Sequence, residues 1–401
     1  MPYRVALVGA GRMGQGYLDV YTGFANCELV ALVEPNAERA AAVAQRFGVG
    51  AHFATTEEML EVAQPEIVCV VTPVRYMHAA VMACAACRSV RAIQCDKPIG
   101  AVLSEVDEML AACDARKILF AGGNLQRALS PLQEVAAGLR RGDYGEITGC
   151  MVHSMGNGEI SGGGCQHISV LRLLTGQEIT SIVAIRKGKK QSPPPLPSGE
   201  PLPTPNDHVG HFAGQFTMRD GLVVPFFPPT NHDSGEERVD SCGIDIWTED
   251  HRISWDWGTP RIWKKTAEGQ PPTYTELQPA FRPHGSYLES SSRSMLDALD
   301  ALVANNNHEQ ALSATDHAAA AQAAAEASLY VSARDLRQAL EAAIAINLSA
   351  DSGGAAVALP LVDRSATAAS LYPGTYRWMG GDVSGRPQSA AEAAGMGAPK
   401  L

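Results

Sequence analysis

The first apolar run of the chain, "RVALVGA", ends in Gly9-Ala10-Gly11-Arg12-Met13-Gly14 and passes directly into the helical pattern "MGQGYLDVYTG". No other stretch constrains the fold as much. A run that is apolar at every position belongs to a strand buried on both faces. A glycine-rich turn from such a strand into a helix permits a tight reversal and lets backbone approach an anion. It also leaves the N–H groups of the helix start facing that anion. The alternation then repeats through "CELVALVE", "NAERAAAVAQRFG", "EIVCVVTP", an Ala-rich helix, "RAIQC", "LSEVDEMLAACDA" and "KILFAGG". Repeated β–α units of this length predict an α/β fold with a doubly wound parallel sheet over residues 1–122.

From Asn124 the pattern changes. Residues 123–345 predict an α+β domain on an open, largely antiparallel sheet, which complements a Rossmann sheet in the first part. "HVGHFAGQFTMRDGLVVPFF" reads as two strands joined at Asp220-Gly221, a hairpin signal. "SPPPLPSGEPLPTP" lacks the N–H donors a central strand needs and is read as a surface excursion. Residues 346–401, rich in Gly, Ala, Ser and Pro, are expected to form an irregular tail.

The formal net charge of −11 gives no attraction to nucleic acid or anionic lipid. The chain starts without a secretory leader pattern, and no apolar stretch approaches the roughly 18–20 residues that span a bilayer. Nine cysteines, odd in number and scattered through apolar segments, suit reduced thiols in the cytoplasm better than a disulfide framework. Cys84 and Cys87 form a CxxC inside one helix with no second pair, so neither a metal nor a redox role is assigned.

The glycines and Glu34, which ends the second strand, together predict a dinucleotide site. Gly9 allows the turn, Gly11 the approach of a pyrophosphate and Gly14 the packing of helix on strand, with Arg12 and Met13 at the helix start. A carboxylate at Glu34 accepts hydrogen bonds from both adenosine ribose hydroxyls and repels a 2′-phosphate. The expected cofactor is therefore NAD rather than NADP, although Arg12 and Arg39 leave the second open. Asp96-Lys97-Pro98 follows the strand "AIQC" at the carboxyl edge of the sheet, where such folds bind ligands. Oxidising an alcohol requires a group that removes the hydroxyl proton. A lysine serves when burial and a nearby cation bring it toward neutrality; a solvated surface charge is the plain alternative.

In order, GAGRMG, VVTPVRYMH, CDKP, GGNLQR, the GGG–His–LTG segment and "EASLYVSAR" resemble the Gfo/Idh/MocA oxidoreductases over about residues 3–345. The resemblance implies an NAD-dependent dehydrogenase acting on a secondary hydroxyl of a sugar, cyclitol or glycoside. It implies that Thr72, Pro73 and His78 line the nicotinamide side, and that Lys97 touches cofactor and substrate. It also implies that Pro98 follows a cis peptide, and that Asn124 and Arg127 lie where the chain enters the substrate domain. The family's Gly-x-His-x-x-Asp is altered here. Counting back from Leu174-Thr175-Gly176 puts Gln166 at the histidine position and Ser169 at the aspartate, with His167 one residue late. Either His167 or Gln166 is therefore the expected partner of Lys97. Two other readings stay open: a redox-neutral lyase or glycosidase that recycles bound NAD, and a non-catalytic dinucleotide-sensing regulator.

The remaining candidates are weaker. His208 and His211 fall on opposite faces of the predicted strand and do not share a metal. His232 and Asp233 are read as a polar loop, and Trp247, Trp255 and Trp257 as core or subunit interface. An open antiparallel sheet with one bare face predicts a homodimer or homotetramer through that sheet.

Overall fold

The computed structural model describes residues 1–123, 125–153, 155, 164–191, 209–228, 243–256, 260–266, 270–271, 273–276, 286–308 and 314–365. Asn124, His208, His232, Asp233, Trp257 and the proline-rich stretch lie outside these residues.

The first part alternates as expected: β1 (Tyr3–Val8), α1 (Arg12–Thr22), β2 (Cys27–Val33), α2 (Ala37–Phe47), β3 (Ala51–Phe53) and α3 (Thr56–Ala63). Then come β4 (Ile67–Val70), α4 (Val74–Ala86), β5 (Ala92–Cys95), α5 (Leu103–Ala115) and β6 (Leu119–Gly122). The strands form one parallel sheet in the order β3-β2-β1-β4-β5-β6. β4, β5 and β6 are buried at every position, which is why their sequences lack alternation. The order reverses between β1 and β4, and that reversal opens a crevice at the carboxyl ends of the strands. Local chemistry sets the helix ends. Asn36 caps α2 by accepting from the Arg39 N–H at 2.9 Å, and Gly48 closes it in the left-handed region.

The second part begins with a short 3-10 turn (Gln126–Ala128), α6 (Ser130–Arg141), β7 (Ile147–His153), α7 (Cys165–Thr175) and β8 (Ile179–Gln191). It continues through β9 (Val209–Met218), β10 (Val223–Phe226), β11 (Gly243–Thr248), β12 (His251–Trp255), β13 (Arg261–Lys264) and β14 (Thr273–Glu276). The predicted hairpin is present: β9 pairs antiparallel with β10 across a turn whose Gly221 has φ +92°. Among the described residues the sheet order is β14-β13-β12-β11-β7-β10-β9-β8-β15, with β15 at Val357–Ala358. β7–β10 is parallel and the remaining pairs are antiparallel.

The C-terminal helices are shared between the two sheets. α8 (Ser286–His308) lies on the first sheet rather than the second: Leu288, Met295, Leu296 and Leu299 share a buried cluster with Val5, Leu7, Tyr17 and Leu32. "EASLYVSAR" spans a break between two helices. α9 (Ala314–Ser328) stops, Val331 and Ser332 pair with the β6 edge, and α10 (Ala333–Asp351) restarts. Ser332 supplies the restart, since its side chain and that of Asp335 form a reciprocal capping box. α10 runs past the expected start of the tail at residue 346, and β15 then pairs with β8. The reason is apolar: Leu336, Leu340 and Ile344 of α10 join the buried cluster that also holds Val152 and Phe216 of the second sheet. The tail beyond Ser365 lies outside the described residues.

The second sheet therefore has a helix-covered face and an outer face. Trp255 is fully buried on the first. Trp247 and Trp263 stand on the second, flanking the Arg252 guanidinium at 5.8 and 5.2 Å from their ring centroids. Cys84 is buried within α4 and Cys87 caps its end by donating backbone N–H to the Cys84 carbonyl; burial pushes the Cys84 thiol up.

Candidate active site at the carboxyl edge of the parallel sheet

Gly9 ends β1 with φ +99°, and a Cβ there would lie 2.4 Å from the Val71 carbonyl oxygen. Gly14 packs against the same turn, so a Cβ would meet the Gly9 carbonyl oxygen at 1.9 Å. Gly11 differs: a Cβ there meets nothing within 4 Å. α1 starts at Gly11 with no side-chain cap and no acidic residue in its first turn, so its N–H groups and dipole are offered to an anion. Gly14→Ala is expected to overpack the turn at a cost of about 1–3 kcal/mol, lowering the melting temperature. Gly11→Ala should melt like the parent yet bind NAD about ten- to a hundredfold more weakly in calorimetry, as when charge-assisted contacts to phosphate are lost.

Beside this turn lies Glu34, 6% exposed at the end of β2. Its Oε1 accepts from the Asn36 N–H at 3.0 Å and from Arg39 Nη2 at 2.8 Å. Oε2 accepts no hydrogen bond among the described residues. At the end of β4, Thr72 Oγ1 is buried without a hydrogen-bond partner, and Pro73 begins α4. An open cradle at Gly11, an uncapped helix start, a carboxylate at the second strand end and an unmet hydroxyl at the fourth all fit an extended dinucleotide.

Asp96 is buried at the end of β5, and its Oδ1 accepts from the Lys97 N–H at 2.8 Å. This bond fixes the backbone that presents the half-buried Lys97. The Lys97–Pro98 peptide is cis, as the resemblance implies. The β6 exit is tied alongside: Gly123 N–H donates to the Cys95 carbonyl at 2.8 Å, and Gly122 N–H to Val331 at 2.9 Å.

Other expected site residues are engaged elsewhere. Gln166 is buried, and its Oε1 accepts from the Gln126 N–H at 2.8 Å, holding the 3-10 turn that follows β6. His167 is 1% exposed and its ring lies edge-on to Trp255 at 5.8 Å between centroids. Adjacent helical positions diverge by about a quarter turn or more; here one faces the chain entering from β6 and the other enters the core of the second sheet. Gln166 thus helps to hold the turn, and His167 packs on Trp255. His78 turns to α5, where its Nε2 lies 2.9 Å from Glu108.

Arg127 belongs to a buried ion cluster. Its Nη1 lies 2.8 Å from Asp335, which Arg172 Nη1 also approaches at 3.4 Å, while Arg172 pairs with Glu178 at 2.7 Å. The cluster joins the 3-10 turn, α7 and α10. Burial alone raises the Asp335 carboxyl, but Arg127, Arg172 and the Ser332 hydrogen bonds hold it below its ordinary value. Asp335, Arg172 and Gln126 are absent from the sequence-based site. Asp335 lies 208 residues from Arg127, and only its capping pattern, Ser332-x-x-Asp335, is a local signal.

Residues 3–123 match the oxidoreductase family GFO_IDH_MocA, NAD-binding Rossmann fold. The chain is 29% identical to a D-apiose dehydrogenase of Paraburkholderia graminis, over 36% of its own length and 38% of that protein. It is 26% identical to the rhizopine catabolism protein MocA of Rhizobium meliloti, over 45% of its own length and 59% of that protein. These curated relatives are therefore matched over well under two thirds of their length. Among solved structures, an oxidoreductase from Agrobacterium radiobacter in complex with NAD+, L-tartaric acid and magnesium superposes with TM-score 0.67 at 17% identity. That match covers 89% of this chain and 98% of the other, and establishes the shared fold.

Proposed function

We propose that this chain, whose residues 3–123 match the NAD-binding Rossmann fold of the Gfo/Idh/MocA oxidoreductase family, is a dehydrogenase. It moves hydride between NAD and a secondary hydroxyl or ketone of a sugar, cyclitol or glycoside. The observation that carries this is the Asp96-Lys97-Pro98 turn at the end of β5, on the edge that also holds the Gly9–Gly14 turn, Glu34 and Thr72. The relative named as a D-apiose dehydrogenase supports the sugar class.

NAD held there would supply the hydride acceptor. Gly11 and the start of α1 bind its pyrophosphate, and Glu34 its adenosine ribose. Thr72 Oγ1 and Pro73 would line the nicotinamide end. Lys97 takes the hydroxyl proton during oxidation and returns it during reduction, while Asp96 holds the lysine backbone. Neither Gln166 nor His167 is assigned proton transfer, since each has the structural engagement described above.

The outer face of the second sheet, with Ile185, Val223 and Phe227 at 57%, 47% and 46% exposure beside Trp247 and Trp263, is assigned to contact with a second copy of the chain. The function is tested by incubating the purified chain with NAD and a panel of aldoses, cyclitols and glycosides. Stoichiometric NADH formation is expected with at least one. Substrate loss without NADH would replace dehydrogenation by redox-neutral chemistry, and no turnover across the panel would remove the enzymatic assignment.

A further inference from the structure

Tyr17 stands three residues beyond Gly14 on α1, and its side chain is completely buried. Its hydroxyl has no hydrogen-bond partner among the described residues. It abuts the β6 exit so closely that a Cβ on Gly123 would fall 1.8 Å from the oxygen. The surrounding layer makes this exceptional. One turn later, the Tyr21 hydroxyl donates to Gln94 Oε1 at 2.9 Å. Ser292 donates to the same oxygen at 3.1 Å, and Ser291 to the Gly122 carbonyl at 2.6 Å. Burying an unmet hydroxyl costs about 1–3 kcal/mol that a phenylalanine would not incur. Burial, then the nearby Asp96 charge, pushes the Tyr17 hydroxyl far above its ordinary range, so it stays protonated and keeps its donor.

We infer that Tyr17 is a positioning residue: with NAD seated on the start of α1, its hydroxyl donates to the Asp96 carboxylate and thereby fixes the backbone that presents Lys97. The inference rests on the dehydrogenase reading. The connection uses groups already in place. Tyr17 belongs to the helix whose first turn receives the pyrophosphate, and Asp96 already accepts from the Lys97 N–H. Side chains on a helix lean toward its N-terminus, which directs the Tyr17 ring back toward the carboxyl edge. Gly123, lacking a Cβ, leaves the space that the hydroxyl occupies.

Tyr17→Phe keeps the ring and removes only the donor. Its kcat is expected to fall about tenfold, in line with a small misplacement of a catalytic group, while the NAD dissociation constant stays within about threefold. Asp96→Asn combined with Tyr17→Phe should lose less than the product of the two single effects, because both act through one carboxylate. Should Tyr17→Phe fail to fold, the parent labelled with 3-fluorotyrosine reports independently. One buried 19F resonance should move when NAD is added, and should stay put in Asp96→Asn. Unchanged kcat in a folded Tyr17→Phe, fully multiplicative effects, or no NAD-linked 19F shift would each overturn the inference. A parent protein that neither binds NAD nor turns over would instead remove the function on which it rests.

Discussion

Lys97→Met is expected to reduce kcat by about 10²- to 10⁴-fold, the range contributed by a positioned acid–base group, while NAD binding measured by calorimetry changes by less than about threefold. Methionine keeps a long, flexible, mostly apolar stem and so preserves packing around a half-buried side chain; only the proton-carrying head is lost. The residues proposed to hold the cofactor are on other strand ends: Gly11 after β1, Glu34 after β2 and Thr72 after β4. Lys97 belongs to the turn after β5, fixed by Asp96 at 2.8 Å and by the neighbouring β6 exit. A residue placed there acts on chemistry more than on dinucleotide affinity. Turnover of the methionine variant within a factor of about ten of the parent would remove the lysine from the chemistry.

Asp335→Ala should be the most damaging substitution for stability, at about 3–5 kcal/mol, the usual cost of stranding buried charges. It strips Arg127 of the 3-10 turn, 12% exposed, of its carboxylate and leaves it beside Arg172 of α7, 6% exposed, and it removes half of the Ser332 capping box. The urea midpoint should fall accordingly. The Asp335 carboxyl is held below its unfolded value of about 3.9. Its stabilisation is therefore present above that pH and is lost as the pH falls through the lower, folded value. The variant should show a shallower loss of stability in that acid window than the parent. Equal urea midpoints for parent and variant would show that the ion cluster does not join the three segments.

The parallel half was legible because its signals are local. Continuous apolar strands, a glycine turn into a helix and caps such as Asn36 all act within a few residues, and the structure repeats them nearly element for element. The strand-end residues were legible for the same reason, since topology alone sends Gly11, Glu34, Thr72 and Lys97 to one edge. Side-chain direction and long-range partnership were not legible. Gln166 and His167 are neighbours in sequence, and nothing local says that one turns to Gln126 and the other to Trp255. Arg127 reads as a substrate cation until Asp335 is placed beside it. The break at residues 329–332 is hidden in an Ala-rich helical pattern because the β6 edge, more than two hundred residues earlier, makes it favourable. Tyr17 was overlooked because a tyrosine on the buried face of an amphipathic helix looks like ordinary core.

The most direct measurement is isothermal titration of the purified chain with NAD and, separately, with NADP. One NAD is expected to bind per chain, and NADP distinctly more weakly, because Glu34 already neutralises Arg39 at 2.8 Å and its carboxylate would repel a 2′-phosphate. Absence of binding by either dinucleotide would contradict the placement of a nicotinamide beside Lys97 at the edge of the parallel sheet.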